Sequence, residues 1–179
     1  MWPPVRLISE AAEVAARRHK RMMRKGRDNE PYANHLAEVA NFLAVATNGA
    51  DAELVAAGWL HDTLEDTETT IAELSARFSD RVASLVVECT DDMSLPKPER
   101  RRQQVVDAPN KSADAKLIKI ADKISNIGAR IRSNSTAEQR ADLIQYLDWA
   151  DQVVAGCRGG NAYLDEMFDD VVRRARASL

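Results

Sequence analysis

Leu54-Val55-Ala56-Ala57-Gly58-Trp59-Leu60-His61-Asp62 is the stretch that decides the fold. Its first seven residues carry no charge and leave no polar stripe. A helix that is apolar on every side must be enclosed by other elements. The run then ends abruptly in a histidine and an aspartate. Both are costly to bury without a partner. A divalent metal ion would pair with both, since imidazole and carboxylate are each metal ligands.

Outward from this helix the pattern stays helical. The first helix starts near Arg6, with Ile8, Ala12, Ala15, His19 and Met22 on one stripe. Lys25 to Pro31 reads as a loop. A second helix covers Asn34 to Ala46, stopped by Asn48-Gly49. Asp51 caps the apolar helix. Thr70 with Glu73, and Ser135 with Glu138, form the pattern of capping boxes. Prolines 96, 98 and 109 bracket a short helix from Arg101 to Val106. Three longer helices follow: Ala113 to Arg132, Gln139 to Ala155 and Asn161 to Ala177. No run alternates with period two, so the expected class is all-α.

The 179 residues suit one domain spanning 1–179, long enough to bury a core without disulfides or structural metals. The two cysteines, Cys89 and Cys157, form no CxxC pair and read as buried thiols in a reducing compartment. Met1-Trp2-Pro3-Pro4-Val5-Arg6 lacks an apolar signal core, and no segment is long enough to span a bilayer. The default expectation is a cytoplasmic protein without membrane contact.

The net charge of −3 conceals an asymmetry. Asp51 to Asp92 holds eleven acids and two bases, whereas Leu95 to Arg132 holds ten bases and four acids. Acidic surroundings suit cations and basic ones suit phosphates, although solvated helix faces explain most such charges. Arg100-Arg101-Arg102 has no interleaved aromatics, so nucleic acid is not an expected partner.

The chain has three histidines: His19, His35 and His61. His35 opens the second helix. Asp122 flanks the apolar stripe of Leu117, Ile120, Ile124, Ile127 and Ile131. Two histidines and two aspartates from three buried helices would make a mixed nitrogen and oxygen shell suited to Mn²⁺, Fe²⁺ or Zn²⁺. Taken singly, His35 reads as a helix-start residue and Asp122 as an ion-pair partner of Lys119 or Lys123. The adjacent His61-Asp62 pair raises the joint reading. Glu65 and Asp66 follow one turn later, where crowding of carboxylates tunes one to act as acid or base. The alternative is a solvated acidic turn. Asn126 lies one turn beyond Asp122. His19 reads as packed, and Arg24 and Lys25 either complement a helix C-terminus or bind phosphate or base.

Together, Arg24-Lys25, Pro31-Tyr32 with His35, Leu60 to Thr67 and Ala121-Asp122-Lys123-Ile124-Ser125-Asn126 resemble the hydrolase domain of RelA/SpoT proteins. The resemblance is strongest to the stand-alone small alarmone hydrolases and spans nearly the whole chain, including Thr90-Asp91-Asp92 and Leu95-Pro96-Lys97. It implies an all-helical HD-superfamily domain with one Mn²⁺ held by His35, His61, Asp62 and Asp122. It implies that Glu65 and Asp66 serve the attacking water. It places Arg24, Lys25 and Asn126 around a guanosine, with Lys97 and Tyr146 at phosphates. The implied reaction removes the 3′-pyrophosphate from ppGpp or pppGpp. Leu36, Met22 and Ser79 depart from residues frequent in the family, and none is an implied ligand. There is no room for the synthetase and regulatory regions of the long forms.

Two other readings keep part of this site. One is an HD-type phosphohydrolase acting on another nucleotide, such as NADPH. The other is a non-catalytic nucleotide-binding module, which would have no use for Glu65 and Asp66. Self-association stays open at this level.

Overall fold

Asp51 accepts a hydrogen bond from Leu54 N at 3.0 Å and so starts the apolar helix where the sequence places it. In the computed structural model, which describes residues 2–24 and 30–179, this helix, α3, spans Ala52–Leu60. Before it come α1 (Pro4–Arg18) and α2 (Tyr32–Ala46). After it come α4 (Thr63–Asp66), α5 (Ile71–Arg77), α6 (Asp80–Cys89), α7 (Lys97–Asp107), α8 (Ala113–Arg132), α9 (Ala137–Ala155) and α10 (Ala162–Ala177). A 3₁₀ turn at Ala108–Asn110 joins α7 to α8. No strand occurs among the described residues, so the chain is a single all-α domain.

Leu54, Val55, Ala56, Ala57, Gly58 and Leu60 are buried, because α1, α2 and α6 surround α3. Gly58 sets how closely α2 and α3 approach. A Cβ there would stand 2.5 Å from Leu43 Cδ1 and 3.3 Å from Ala40 Cα. The other central helix is α8, packed against α2, α6, α9 and α10. It buries Ile118, Ile120, Ala121, Ile124 and Ile127, and also the cations Lys119 and Lys123.

Helix ends differ from expectation where caps compete. α1 starts at Pro4, whose fixed φ and missing N–H suit a first turn. Helix α7 begins four residues earlier than expected, at Lys97, with Pro98 in its first turn. The expected Ser135–Glu138 box is replaced by Thr136 with Gln139, in which each side chain bonds the other residue's backbone. Thr70 accepts from Glu73 N at 3.2 Å, which is half of the expected box. Most of the expected Lys25–Pro31 loop, and Lys25 itself, lie outside the described residues. Its ends are joined by Arg24 N to Glu30 O at 2.8 Å and Tyr32 N to Met22 O at 2.9 Å. Those bonds fix where Arg24 and Tyr32 leave the backbone.

Candidate metal centre and substrate cleft

The close approach of α2 and α3 brings His35 and His61 to a ring separation of 5.2 Å. His61 follows the last residue of α3, and its Nδ1 lies 2.8 Å from Gly58 O. A carbonyl can only accept, so Nδ1 carries the proton and a neutral His61 presents its Nε2 lone pair. That Nε2 is buried and has no hydrogen-bond partner. It stands 3.1 Å from Asp62 Oδ2 and 3.8 Å from Asp122 Oδ1. His35 Nε2 lies 3.4 Å from each of the same two oxygens.

These separations fit a cation. Ligands about 2.1 Å from one ion stand roughly 3.0–3.4 Å apart at angles between octahedral and tetrahedral. The donor atoms of His35, His61 and Asp62 all lie within 4.8 Å of one another, and Asp122 stands beside that group, 3.4 Å from His35 Nε2 and, more widely, 3.8 Å from His61 Nε2. An orphaned nitrogen aimed at two carboxylate oxygens is what a divalent ion would satisfy. The four side chains therefore fit a metal.

Each carboxylate is held in place by further donors. Tyr32 Oη donates to Asp62 Oδ2 at 2.6 Å. Lys123 Nζ donates to Asp122 Oδ2 at 2.8 Å, and Asn126 Nδ2 to Asp122 Oδ1 at 2.6 Å. Burial alone would raise both aspartates, but with no cation bound a protonated His61 beside Asp62, and Lys123 beside Asp122, hold them well below the ordinary range. Burial disfavours charge on the imidazoles, yet the facing carboxylates outweigh it and raise both.

Glu65 and Asp66 sit on α4, a single turn tied back by Asp66 N to Asp62 O at 3.0 Å. Burial pushes the Glu65 carboxyl up to about 7, against the hydrogen bond it accepts from Asp91 N. Burial and the charge of Asp62 also raise Asp66. Asp62 and Asp122 are thus held ionised, whereas Glu65 and Asp66 are both raised above the ordinary carboxylate range.

A cleft of about 310 Å³ opens onto Asp62, Glu65 and Asp122. Its basic wall is Lys97, Arg100, Arg101, Lys119, Lys123 and Arg130, with Asn126, Tyr146 and Trp149 beside them. Arg130 stacks 3.6 Å over the Tyr146 ring, and Lys123 lies 4.6 Å over Trp149. The expected Lys97, Asn126 and Tyr146 therefore share one cleft with the two aspartates of the donor set. Arg24 does not line it. Its buried guanidinium is spent on Ser125 and Glu38, behind His35, so its placement lends no support to a guanosine contact. His19 is buried as expected, with its ring stacked on Tyr32 at 5.3 Å.

Sequence reading gave no role to Arg130, Trp149 or Glu38, named Lys119 only as an ion-pair partner of Asp122, and quoted Ser125 only within the motif around Asp122. One signal was available: Lys119, Asp122, Lys123, Asn126 and Arg130 recur at helical spacing on one face of α8. A larger cleft of about 550 Å³, between α2, α8 and α10, borders the opposite face of α8 through Ile124, Gly128 and Ile131. It holds none of the four metal donors.

The HD-domain profile matches residues 11–147, a span containing all four donors and both acids of α4. The chain belongs to the HD-domain family. Within it, its relatives place this HD domain in the RelA/SpoT group. The guanosine-3′,5′-bis(diphosphate) 3′-pyrophosphohydrolase MESH1 of Mus musculus is 43% identical over 172 residues, 96% of each chain. Its Homo sapiens counterpart is 43% identical over 167 residues, 93% of each. A solved structure described as a metazoan ortholog of SpoT that hydrolyzes ppGpp matches this HD domain with a TM-score of 0.88 and 36% identity. That match covers 100% of this chain and 99% of the other.

Proposed function

We propose that this protein is a metal-dependent guanosine-3′,5′-bis(diphosphate) 3′-pyrophosphohydrolase, with residues 1–179 acting as one hydrolase domain. The observation that carries the proposal is the clustering of His35, His61 and Asp62, with Asp122 beside them, where the two aspartates border a cleft walled by cations. Relatives alike over nearly the full chain bear the name of that activity. Their names supply the substrate, and the geometry supplies a means of acting on it.

Manganese is the proposed ion, because two imidazoles and two carboxylates make a borderline donor set that leaves positions for water and substrate. When bound, such an ion lowers the pKa of water and stabilises charge on phosphoryl oxygens. The chain's own groups do the rest. Glu65, whose carboxyl burial raises to about 7, accepts a proton from the attacking water in its ionised form, and Asp66 orients that water. Lys97, Arg100, Arg101, Lys119, Lys123 and Arg130 hold the diphosphate groups and offset charge that develops in transfer. Asn126 and Tyr146 fix the nucleoside side of the cleft. Lys25 is proposed as a guanosine contact on the family resemblance alone. The product is GDP or GTP with pyrophosphate. Both cysteines are free and buried, and no helix among the described residues is long and apolar enough to cross a membrane. These features suit the cytoplasm, which we propose as the location.

The test is a nucleotide panel with purified protein and Mn²⁺, assaying pyrophosphate and phosphate separately. Pyrophosphate release from ppGpp that disappears in Asp62→Ala is expected. Inertness toward ppGpp together with phosphate release from NADPH or another nucleotide overturns the proposal.

A further inference from the structure

His35 is supported, on the side away from the substrate cleft, by a chain of polar groups that is buried at Ser125 and Arg24 and partly exposed at Glu38. His35 Nδ1 lies 2.8 Å from Ser125 Oγ, across the α2–α8 interface. Ser125 Oγ is 2.5 Å from Glu38 Oε2, one turn along α2 from His35. Arg24 Nη2 lies 2.9 Å from the same Oγ and 3.0 Å from Ser125 O, while its Nη1 lies 3.1 Å from Glu38 Oε2. The Arg24 side chain is 5% exposed.

The proton count in this chain has one solution. A serine hydroxyl has one hydrogen and two lone pairs. Guanidinium only donates and a carboxylate only accepts, so Ser125 donates to Glu38 and accepts from Arg24. Its remaining lone pair must accept from His35, which puts the proton on Nδ1. A neutral His35 is thereby fixed as the tautomer whose Nε2 lone pair faces Asp62 and Asp122. Neutral serine without Glu38 could turn its hydrogen toward His35 and favour the other tautomer. Glu38 removes that choice, and Arg24 locks Glu38 and Ser125 together with a charge-assisted bond to each.

We propose that Arg24, Ser125 and Glu38 are positioning residues that set the tautomer of His35 and so strengthen metal binding. The proposal rests on the reading of His35 as a metal ligand. It gives Arg24 a task on the metal side of the protein.

Calorimetric titration with Mn²⁺ alone tests it. Ser125→Ala is expected to weaken Mn²⁺ binding by about 10–100-fold, the usual cost of losing such a supporting group. Ser125→Thr, which keeps the hydroxyl, is expected to restore most of it. In both, kcat returns toward the wild-type value at saturating Mn²⁺. Nitrogen-15 NMR of the Zn²⁺-loaded wild type is expected to show His35 protonated at Nδ1. Arg24→Met is expected to weaken Mn²⁺ binding as Ser125→Ala does. Wild-type protein that binds Mn²⁺ no better than Ser125→Ala overturns the relay alone. A His35 protonated at Nε2 does the same, as does an Arg24→Met that raises KM with unchanged metal affinity. Wild-type protein that binds no divalent ion overturns the metal reading itself.

Discussion

Tyr32 Oη donates a 2.6 Å hydrogen bond to Asp62 Oδ2, the same oxygen that faces both imidazoles. Tyr32 is the first residue of α2, and its ring lies between those of His19 and His35, each at 5.3 Å. Burial and the neighbouring Asp62 carboxylate keep the phenol protonated far above its ordinary range. The tyrosine is therefore a permanent donor that fixes how Asp62 presents its oxygen. Tyr32→Phe keeps the stacked ring and removes only that bond. We expect Mn²⁺ affinity to fall by about tenfold or more, with kcat recovering at high Mn²⁺. Calorimetric titration of the variant checks this, and an unchanged affinity would reduce Tyr32 to packing.

Glu65 gives the protein a pH signature. Its carboxyl is raised by burial from 4.5 to about 7, so the folded state of the metal-free protein holds a proton that the unfolded chain releases. Stability from this group is then fully present below pH ~4.5 and is lost as pH rises through 7. The size of the effect is on the order of 3 kcal/mol. Glu65→Gln abolishes it, because the amide does not titrate. Urea unfolding of both metal-free proteins at pH 5 and pH 8 is expected to show the variant gaining on the wild type at the higher pH. A constant difference would mean that Glu65 titrates normally. A bound cation lowers the Glu65 value, so the acid limb of the rate profile in Mn²⁺ falls below pH 7.

The same doublet that reveals the metal shows why parts of the cleft stay hidden in the sequence. His61 and Asp62 are legible because burial of two polar groups at the end of Leu54–Leu60 is costly on its face. Asp122 is legible through the apolar stripe beside it. Lys119 and Lys123 are harder, since a lysine on a mainly apolar helix normally runs its stem to solvent. Here α6 and α9 close over α8 and trap both cations. Ser125 and Glu38 carry no chemical signal of their own. They matter only because α2 and α8 cross at that level, and a crossing is not written in local periodicity. Arg24 was legible as a cation beside the family motif, but not in its direction. The Arg24–Glu30 and Tyr32–Met22 backbone bonds turn it inward. The cap at Thr136 was missed because Ser135, Thr136, Glu138 and Gln139 offer two overlapping boxes.

Gly58 is where fold and site meet. A methyl group there would press against Leu43 Cδ1 at 2.5 Å and the Ala40 backbone at 3.3 Å. The leucine can swing, but α2 itself must move. Gly58→Ala is expected to lose about 1–3 kcal/mol, as overpacked cores do. Moving α2 from α3 also separates His35 from His61, so Mn²⁺ affinity should fall with stability. A urea midpoint equal to the wild type would show that the helices have slack.

Lys123 couples the metal centre to the cation wall. Its ammonium is buried, bonds Asp122 Oδ2 at 2.8 Å and lies over the Trp149 ring. Lys123→Met keeps the stem but strands a buried carboxylate, a loss typically worth about 3–5 kcal/mol. A divalent ion offers Asp122 a replacement charge. The destabilisation is therefore expected to be large in chelator and to shrink as Mn²⁺ is added, since ligand binding to the folded state stabilises by mass action. Thermal unfolding of wild type and variant across a Mn²⁺ series reads this directly. A gap that stays constant with Mn²⁺ would mean that Asp122 does not sense the ion. The two roles of Lys123 separate in kinetics. Loss of the pairing to Asp122 is repaired by metal, whereas loss of a phosphate contact leaves KM for ppGpp raised even when Mn²⁺ is saturating.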